Sequence, residues 1–205
     1  MDSHRGYDPG ALVMARSLAG ALKAPLVTST VSRLLIDLNR SIGHPQLFSA
    51  PTRGVPASLR AKIVEEHYWP YRAQVERLVE QSVSRGCRVI HISSHSFTAE
   101  LNGKVRRADV ALLYHPGRHG EAALCARWKA SLAASAPQLR VRRNYPYAGK
   151  ADGVTSHLRL RFPHSAYVGI ELEVNQSIVF EAGRRWTALR GELSDSLRAA
   201  CSNPT

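Results

Sequence analysis

Apolar positions along the chain follow two periods, and each change of period marks a new element. Leu12, Ala15, Leu18, Ala19 and Leu22 recur at helical spacing. They predict a helix from Asp8 to about Ala24, with Asp8 as its cap, Pro9 in its first turn and Pro25 as its stop. Leu26 to Ser29 reads as a short strand. Val31 to Arg40, built round Leu34-Leu35-Ile36, reads as a second, buried strand that ends in Asp37, Asn39 and Arg40. Gly43, Pro45, Pro51, Gly54 and Pro56 make residues 43–56 a loop. From Ala57 to Ser84 the apolar positions Leu59, Ile63, Val64, Tyr71, Val75, Leu78 and Val79 return to helical spacing, and Pro70 predicts a kink or a division there.

The second half alternates strands with helices. Arg88-Val-Ile-His-Ile-Ser-Ser-His-Ser-Phe97 is β-branched. Period two puts Val89, His91, Ser93 and His95 on one face, and Ile90, Ile92 and Ser94 on the other. Asn102-Gly103 signals a turn, and Asp109 to Tyr114 reads as a buried strand. A helix over Glu121 to Ala134, a short strand over Leu139 to Arg142 and a turn-rich loop from Asn144 to Gly153 follow, then a short helix over Thr155 to Phe162. Ala166 to Gln176 alternates strictly, with Val168, Ile170, Leu172 and Val174 on one face and Tyr167, Gly169, Glu171, Glu173 and Asn175 on the other. A final helix over residues 177–200 carries the stripe Ile178, Ala182, Trp186, Leu189, Leu193 and Leu197. This order predicts an α/β fold: one domain over residues 1–205, a three-layer sandwich around a mostly parallel or mixed central sheet.

Composition narrows the class. No run of about 18 apolar residues occurs, so the expectation is no membrane span, and the N-terminus lacks the apolar centre of a signal peptide; the reading is cytoplasmic. Cys87, Cys125 and Cys201 are odd in number and without CxxC spacing, which predicts reduced thiols rather than disulfides or a thiolate zinc site. The net charge of +12 raises nucleic acid as a partner, but only five of the 28 basic residues are Lys and no tract of five like charges exists. An Arg-rich balance suits bidentate carboxylate binding at least as well, which favours a small anionic substrate.

The candidate chemistry lies at predicted strand ends: Asn39 and Arg40, His95, and Glu171. Histidines in a strand are often satisfied by hydrogen bonds alone. Two carboxylates on one face of an apolar strand, however, require a metal, arginines or water nearby. Taken together, His4-Arg-Gly-Tyr-Asp-Pro-Gly-Ala11, Ser32-Arg-Leu-Leu-Ile-Asp-Leu-Asn-Arg40, His95-Ser-Phe97, Asn144-Tyr-Pro-Tyr147 and Gly169-Ile-Glu-Leu-Glu-Val-Asn-Gln176 resemble the N-formylglutamate amidohydrolase family over nearly the whole length.

That resemblance implies a zinc-exopeptidase-like fold and a zinc-dependent hydrolysis of the N-formyl, or a similar N-acyl, amide of an acidic amino acid such as N-formylglutamate. It implies one zinc ion with His95 as a ligand, Asn39 and Arg40 as a clamp for the substrate carboxylate, and Glu171 as general base. Arg33, Arg106, Asn144 and Tyr147 are further substrate-contact candidates; ion pairs for the arginines and an ordered turn for the loop are the alternatives. The family's other zinc ligands lie on an upstream strand and loop that this chain does not match, so the domain is expected to be N-terminally incomplete and those ligands missing. His91 and Glu173, and more remotely His67, are candidate replacements; His4 and Asp8 stay open because their block matches. Two rival readings remain: a catalytically degenerate, metal-free relative that binds acidic metabolites, and a basic nucleic-acid-binding protein.

Overall fold

A computed structural model describes residues 6–181 and 183–202. The chain divides into two compact units: one holds Val27–Val89 and Asp152–Tyr167, the other Asp8–Leu26, Ile90–Ala151 and the residues from Val168 on.

The second unit is built on a mixed four-stranded sheet. Its strands are β1 (Val89–Phe97), β4 (Val110–Leu113), β5 (Val141–Arg143) and β6 (Tyr167–Asn175), in the order β1-β6-β4-β5. β4 runs parallel to β5 and antiparallel to β6. Its register sets Leu112 opposite Leu172 and Leu113 opposite Glu171. Val110 and Leu112 join Val168, Ile170, Leu172 and Val174 in one core, so the alternation in β6 buries its apolar face here and sends Glu171 and Glu173 to the other. Helices α1 (Ala11–Leu22), α5 (His119–Ser135) and α8 (Gly183–Ser202) bring Met14, Leu18, Leu124, Trp128, Leu132, Leu189, Leu193 and Leu197 into the same core. These positions recur every four residues, a spacing that keeps one helix face on a sheet. Trp128 Nε1 donates to Ser196 Oγ at 3.0 Å, which satisfies the indole inside this core. β2 (Glu100–Leu101) and β3 (Lys104–Val105) form a separate antiparallel hairpin around Asn102 and Gly103, whose φ angles of 51° and 72° are those its tight turn requires.

Among the described residues the first unit has no sheet of its own. Short helices α2 (Ala50–Arg53) and α3 (Ala57–Ile63) lead through a π-helical turn (Val64–Tyr68) into α4 (Trp69–Ser84), and α6 (Val154–Arg161) returns later in the chain. One core groups Ile36, Leu38, Leu47, Ile63 and Tyr68; another packs Val75 and Val79 of α4 against Val154, Leu158 and Tyr167.

Several expectations need correcting. The strand over Val31 to Arg40 does not form, nor does the one over Leu26 to Ser29. Between Ser32 and Arg40 the polar side chains compete for the backbone: Ser32 Oγ accepts from Leu34 N, Asp37 Oδ1 accepts from Asn39 N, and Arg40 N turns back to Asp37 O. Asn39 and Arg40 therefore sit in a turn, not at a strand end. Glu171 is likewise at the middle of β6, and His95 two residues short of the end of β1. The final helix is two, α7 (Gln176–Glu181) and α8, divided before Gly183, whose φ of 67° ends a helix. Asp8 does not cap α1. The cap is Gly10, at φ 78°, where a Cβ would meet Val179 Cγ2 at 2.7 Å, so both the backbone and the packing require glycine. Pro70 does not itself interrupt the helix: it lies in the first turn of α4, and the irregularity expected there is the π-helical turn just upstream, Val64–Tyr68.

Candidate active site

The candidate residues fall into two groups, one in each unit. In the sheet unit the centre is His95. Its Nδ1 lies 2.7 Å from Asp8 Oδ2 and its Nε2 lies 2.9 Å from Ser93 Oγ, so both ring nitrogens are engaged. The two side chains of the ion pair are only 16% and 12% exposed. Ser93 and His95 share a face of β1 because they are two residues apart, while Ser94 points the other way and donates to Ala11 O of α1 at 3.0 Å. Glu171 and Glu173 come from β6, the strand next to β1. Burial by itself would depress the His95 imidazole; the Asp8 hydrogen bond and the charges of Asp8, Glu173 and Glu171 outweigh it and hold the pKa at about 9. His95 is therefore an imidazolium at neutral pH.

That charge state bears on two chemistries. Ser93, His95 and Asp8 have the contacts of a nucleophilic triad, but a base that stays protonated up to about 9 cannot take the serine proton near neutrality. A cation is the alternative, since the charges of three carboxylates, Asp8, Glu171 and Glu173, act on the imidazole and a metal ion would displace its proton. A catalytic zinc takes three protein donors and keeps one position open. Among the described residues no group of three His, Cys, Asp or Glu is arranged to hold a metal, and His91 and Glu173 do not complete one with Asp8 and His95. The charge of the group suits a divalent ion; the donor count of the described residues does not. His4 lies outside the described residues.

Also in this unit, Arg106 donates to Tyr147 Oη at 3.1 Å and to Thr98 Oγ1 at 3.4 Å, with its guanidinium 5.2 Å from the centre of the Tyr147 ring. Asn144 Oδ1 accepts from Tyr114 N at 3.0 Å and Gly149 N at 3.1 Å, and so pins the loop after β5 to the end of β4. The close approach is possible because residue 149 is glycine: a Cβ there would lie 2.1 Å from Tyr114 N.

In the other unit Asn39 and Arg40 are fixed from a distant part of the chain. Asn39 Oδ1 accepts from Val154 N at 2.8 Å, which caps the first turn of α6. Arg40 Nη1 donates to Asp152 O at 3.1 Å, and Ser41 donates to the Asp152 carboxylate through both its N and its Oγ. Burial would raise Asp152, but the two Ser41 hydrogen bonds and the charges of His44 and Arg40 lower it. Arg33 is held by Asp37, at 3.0 Å, with Arg40 Nε 3.9 Å from the same carboxylate oxygen. Tyr68 Oη donates to Arg40 O at 2.9 Å. Asp152 and Ser41 were not among the sequence candidates. Nothing in the sequence signals a contact across 111 residues.

Comparison with known proteins settles the family. The family model for N-formylglutamate amidohydrolase matches residues 1–180, most of the chain. The chain belongs to this family. The gene product Atu2144 from Agrobacterium tumefaciens has a similar structure, with a TM-score of 0.83 and 27% sequence identity over 98% of this chain and 80% of that one. An N-formylglutamate amidohydrolase from Ralstonia eutropha JMP134 shares the fold, with a TM-score of 0.74 at 17% identity over 94% of this chain and 81% of that one. No curated protein matches by sequence. Family membership makes the chain an N-formylglutamate amidohydrolase-like hydrolase of mixed α/β fold. No helix among the described residues is long and apolar enough to cross a membrane.

Proposed function

We propose that this chain hydrolyses the N-formyl, or a similar small N-acyl, amide of an acidic amino acid, with N-formylglutamate as the model substrate and Glu171 as general base. The observation that carries the reading is Glu171 itself, a partly buried carboxylate at the centre of β6, close enough to His95 for its charge to act on the imidazole, in a chain of the amidohydrolase family. In the reaction water adds to the formyl carbon and Glu171 takes its proton. The carbon–nitrogen bond then breaks, and the proton passes to the leaving amine, giving formate and the free amino acid. Asn39 and Arg40 are proposed to fix the α-carboxylate by charge-assisted hydrogen bonds. The anchoring of both residues through Val154 and Asp152 supports a clamp of fixed geometry.

The test is formate release from N-formylglutamate by the purified chain, run with and without added zinc. Glu171→Gln is expected to lower kcat at least about 100-fold with little change in KM. Near-normal turnover in that variant refutes the assignment of the base.

A further inference from the structure

A cleft of about 700 Å³ opens between residues 42–48 and the helical stretch from Arg60 to Trp69, and every residue that lines it belongs to the first unit. That volume is in the range of small-molecule sites. Leu47, which is buried, and Phe48 line it from the loop; Val64 and Trp69 line it from the helix. Trp69 N donates to Val64 O, five residues back, so the π-helical turn sets Trp69 above Val64 while Tyr68 goes to the core. Trp69 is 53% exposed, and Ile42 in the same lining is 49% exposed. Single exposed apolar side chains are common, but these two open into one cleft with an apolar floor.

The same lining carries one fixed charge of each sign, Arg60 and Glu65. Lys62 and Glu66, four apart on this stretch, pair at 3.6 Å. Arg60 has Val64 at that spacing and Glu65 has Trp69, and neither charge forms an ion pair among the described residues. Arg60 is partly buried and spends Nη1 on Arg53 O at 2.6 Å, which holds the side chain and leaves its other guanidinium donors open. An aromatic, apolar cleft with an unpaired cation and an unpaired anion complements a molecule with a carboxylate, an ammonium and a flat apolar body. Those are the three parts of a free aromatic amino acid.

We propose that this cleft is a second ligand site, and that it binds a free amino acid with an aromatic side chain. Arg60 takes the carboxylate, Glu65 takes the ammonium, and the ring lies against the Trp69 indole over Leu47 and Phe48. A site built to pair a group rejects the analogue that lacks it, so N-acylated amino acids, which have no ammonium, are excluded. None of Asn39, Arg40, His95 and Glu171 lines the cleft, and the inference stands whether or not the hydrolase reading does.

The experiment titrates the full chain, by ligand-observed NMR, with L-phenylalanine, with 3-phenylpropionate, which lacks the ammonium, with phenethylamine, which lacks the carboxylate, and with L-alanine, which lacks the ring. Phenylalanine is expected to bind with a Kd of about 1 mM or below, and each of the others at least about 10-fold more weakly. Trp128 and Trp186 are buried, so phenylalanine should also protect the exposed Trp69 from quenching by acrylamide. Glu65 is exposed, and Glu65→Gln leaves the fold intact. It should weaken phenylalanine at least about 10-fold and leave 3-phenylpropionate within about 2-fold. Arg60→Gln should weaken phenylalanine likewise and leave phenethylamine unchanged, and Trp69→Ala should remove the preference for phenylalanine over alanine. No saturable binding of phenylalanine by the folded wild type up to about 10 mM overturns the proposal. So does an affinity for phenylalanine that survives Glu65→Gln, or a 3-phenylpropionate Kd equal to that of phenylalanine.

Discussion

Replacing Asp8 by Asn keeps the shape of the His95 contact and removes its charge. In the wild type His95 rises from 6.5 in an unfolded chain to about 9, although burial works against it. The gap corresponds to about 3 kcal/mol of folding free energy, an order-of-magnitude figure that applies because the side chain is largely shielded from solvent. The shift is upward, so the contribution is fully present below about 6.5 and is lost as pH rises through about 9. In Asp8→Asn only Glu173 and Glu171 remain to offset burial, and the His95 midpoint should fall. The assay is urea unfolding of chelator-treated protein at about pH 6 and pH 9.5, in wild type and variant, with the His95 midpoint followed by NMR. Other groups that titrate in this window are common to both proteins and cancel in the comparison. The wild type should lose about 2–3 kcal/mol more than the variant between the two pH values. Equal losses, or a His95 midpoint near 6.5 in the wild type, would refute the electrostatic account of this cluster.

Two further outcomes test other parts of the structure. Burial would raise Asp109, but the Arg140 hydrogen bonds and the charges of Arg140 and Arg185 lower it. Its contribution is present above the ordinary carboxylate range and lost as pH falls through the depressed value, so Asp109→Asn should flatten acid unfolding below about pH 4, followed by circular dichroism. Asn144→Ala leaves the Tyr114 and Gly149 N–H groups without their acceptor, and is expected to cost about 1–3 kcal/mol and to open the loop after β5 to limited proteolysis. A variant that melts and is cut like the wild type would show that the loop does not depend on this pin.

The strands of the second half were legible because their patterns are unambiguous. β6 alternates without a break, β4 is a continuous apolar run, and the hydroxyl of Ser94 reaches α1 from the face that period two assigns to it. The pattern over residues 31–40 misleads for a physical reason. Leu34, Leu35 and Ile36 have the composition of a strand, but Ser32 and Asp37 on either side form local side-chain bonds that turn the backbone. Asp8 has the look of a cap because Asp is a favoured capping residue and Pro9 follows it. Its bond to His95 spans 87 residues and leaves no local trace. The same holds for Asn39, whose cap on α6 could be seen only once Val154 was placed beside it.

The π-helical turn at Val64–Tyr68 has a consequence for sequence comparison and for length change. Such a turn holds one residue more than the α-helix it interrupts. Loss of a single residue between positions 64 and 68 would regularise the helix rather than break it, and would leave α3 and α4 nearly in phase, because the π-helical turn absorbs its extra residue locally. Ile63 would keep the core it shares with Ile36 and Leu47, and Val75 and Val79 theirs. The segment is thus a place where the chain tolerates a change of length. An alignment with a relative whose helix is regular here needs a one-residue gap between positions 64 and 68, and the side chains on both sides of that gap still match face for face.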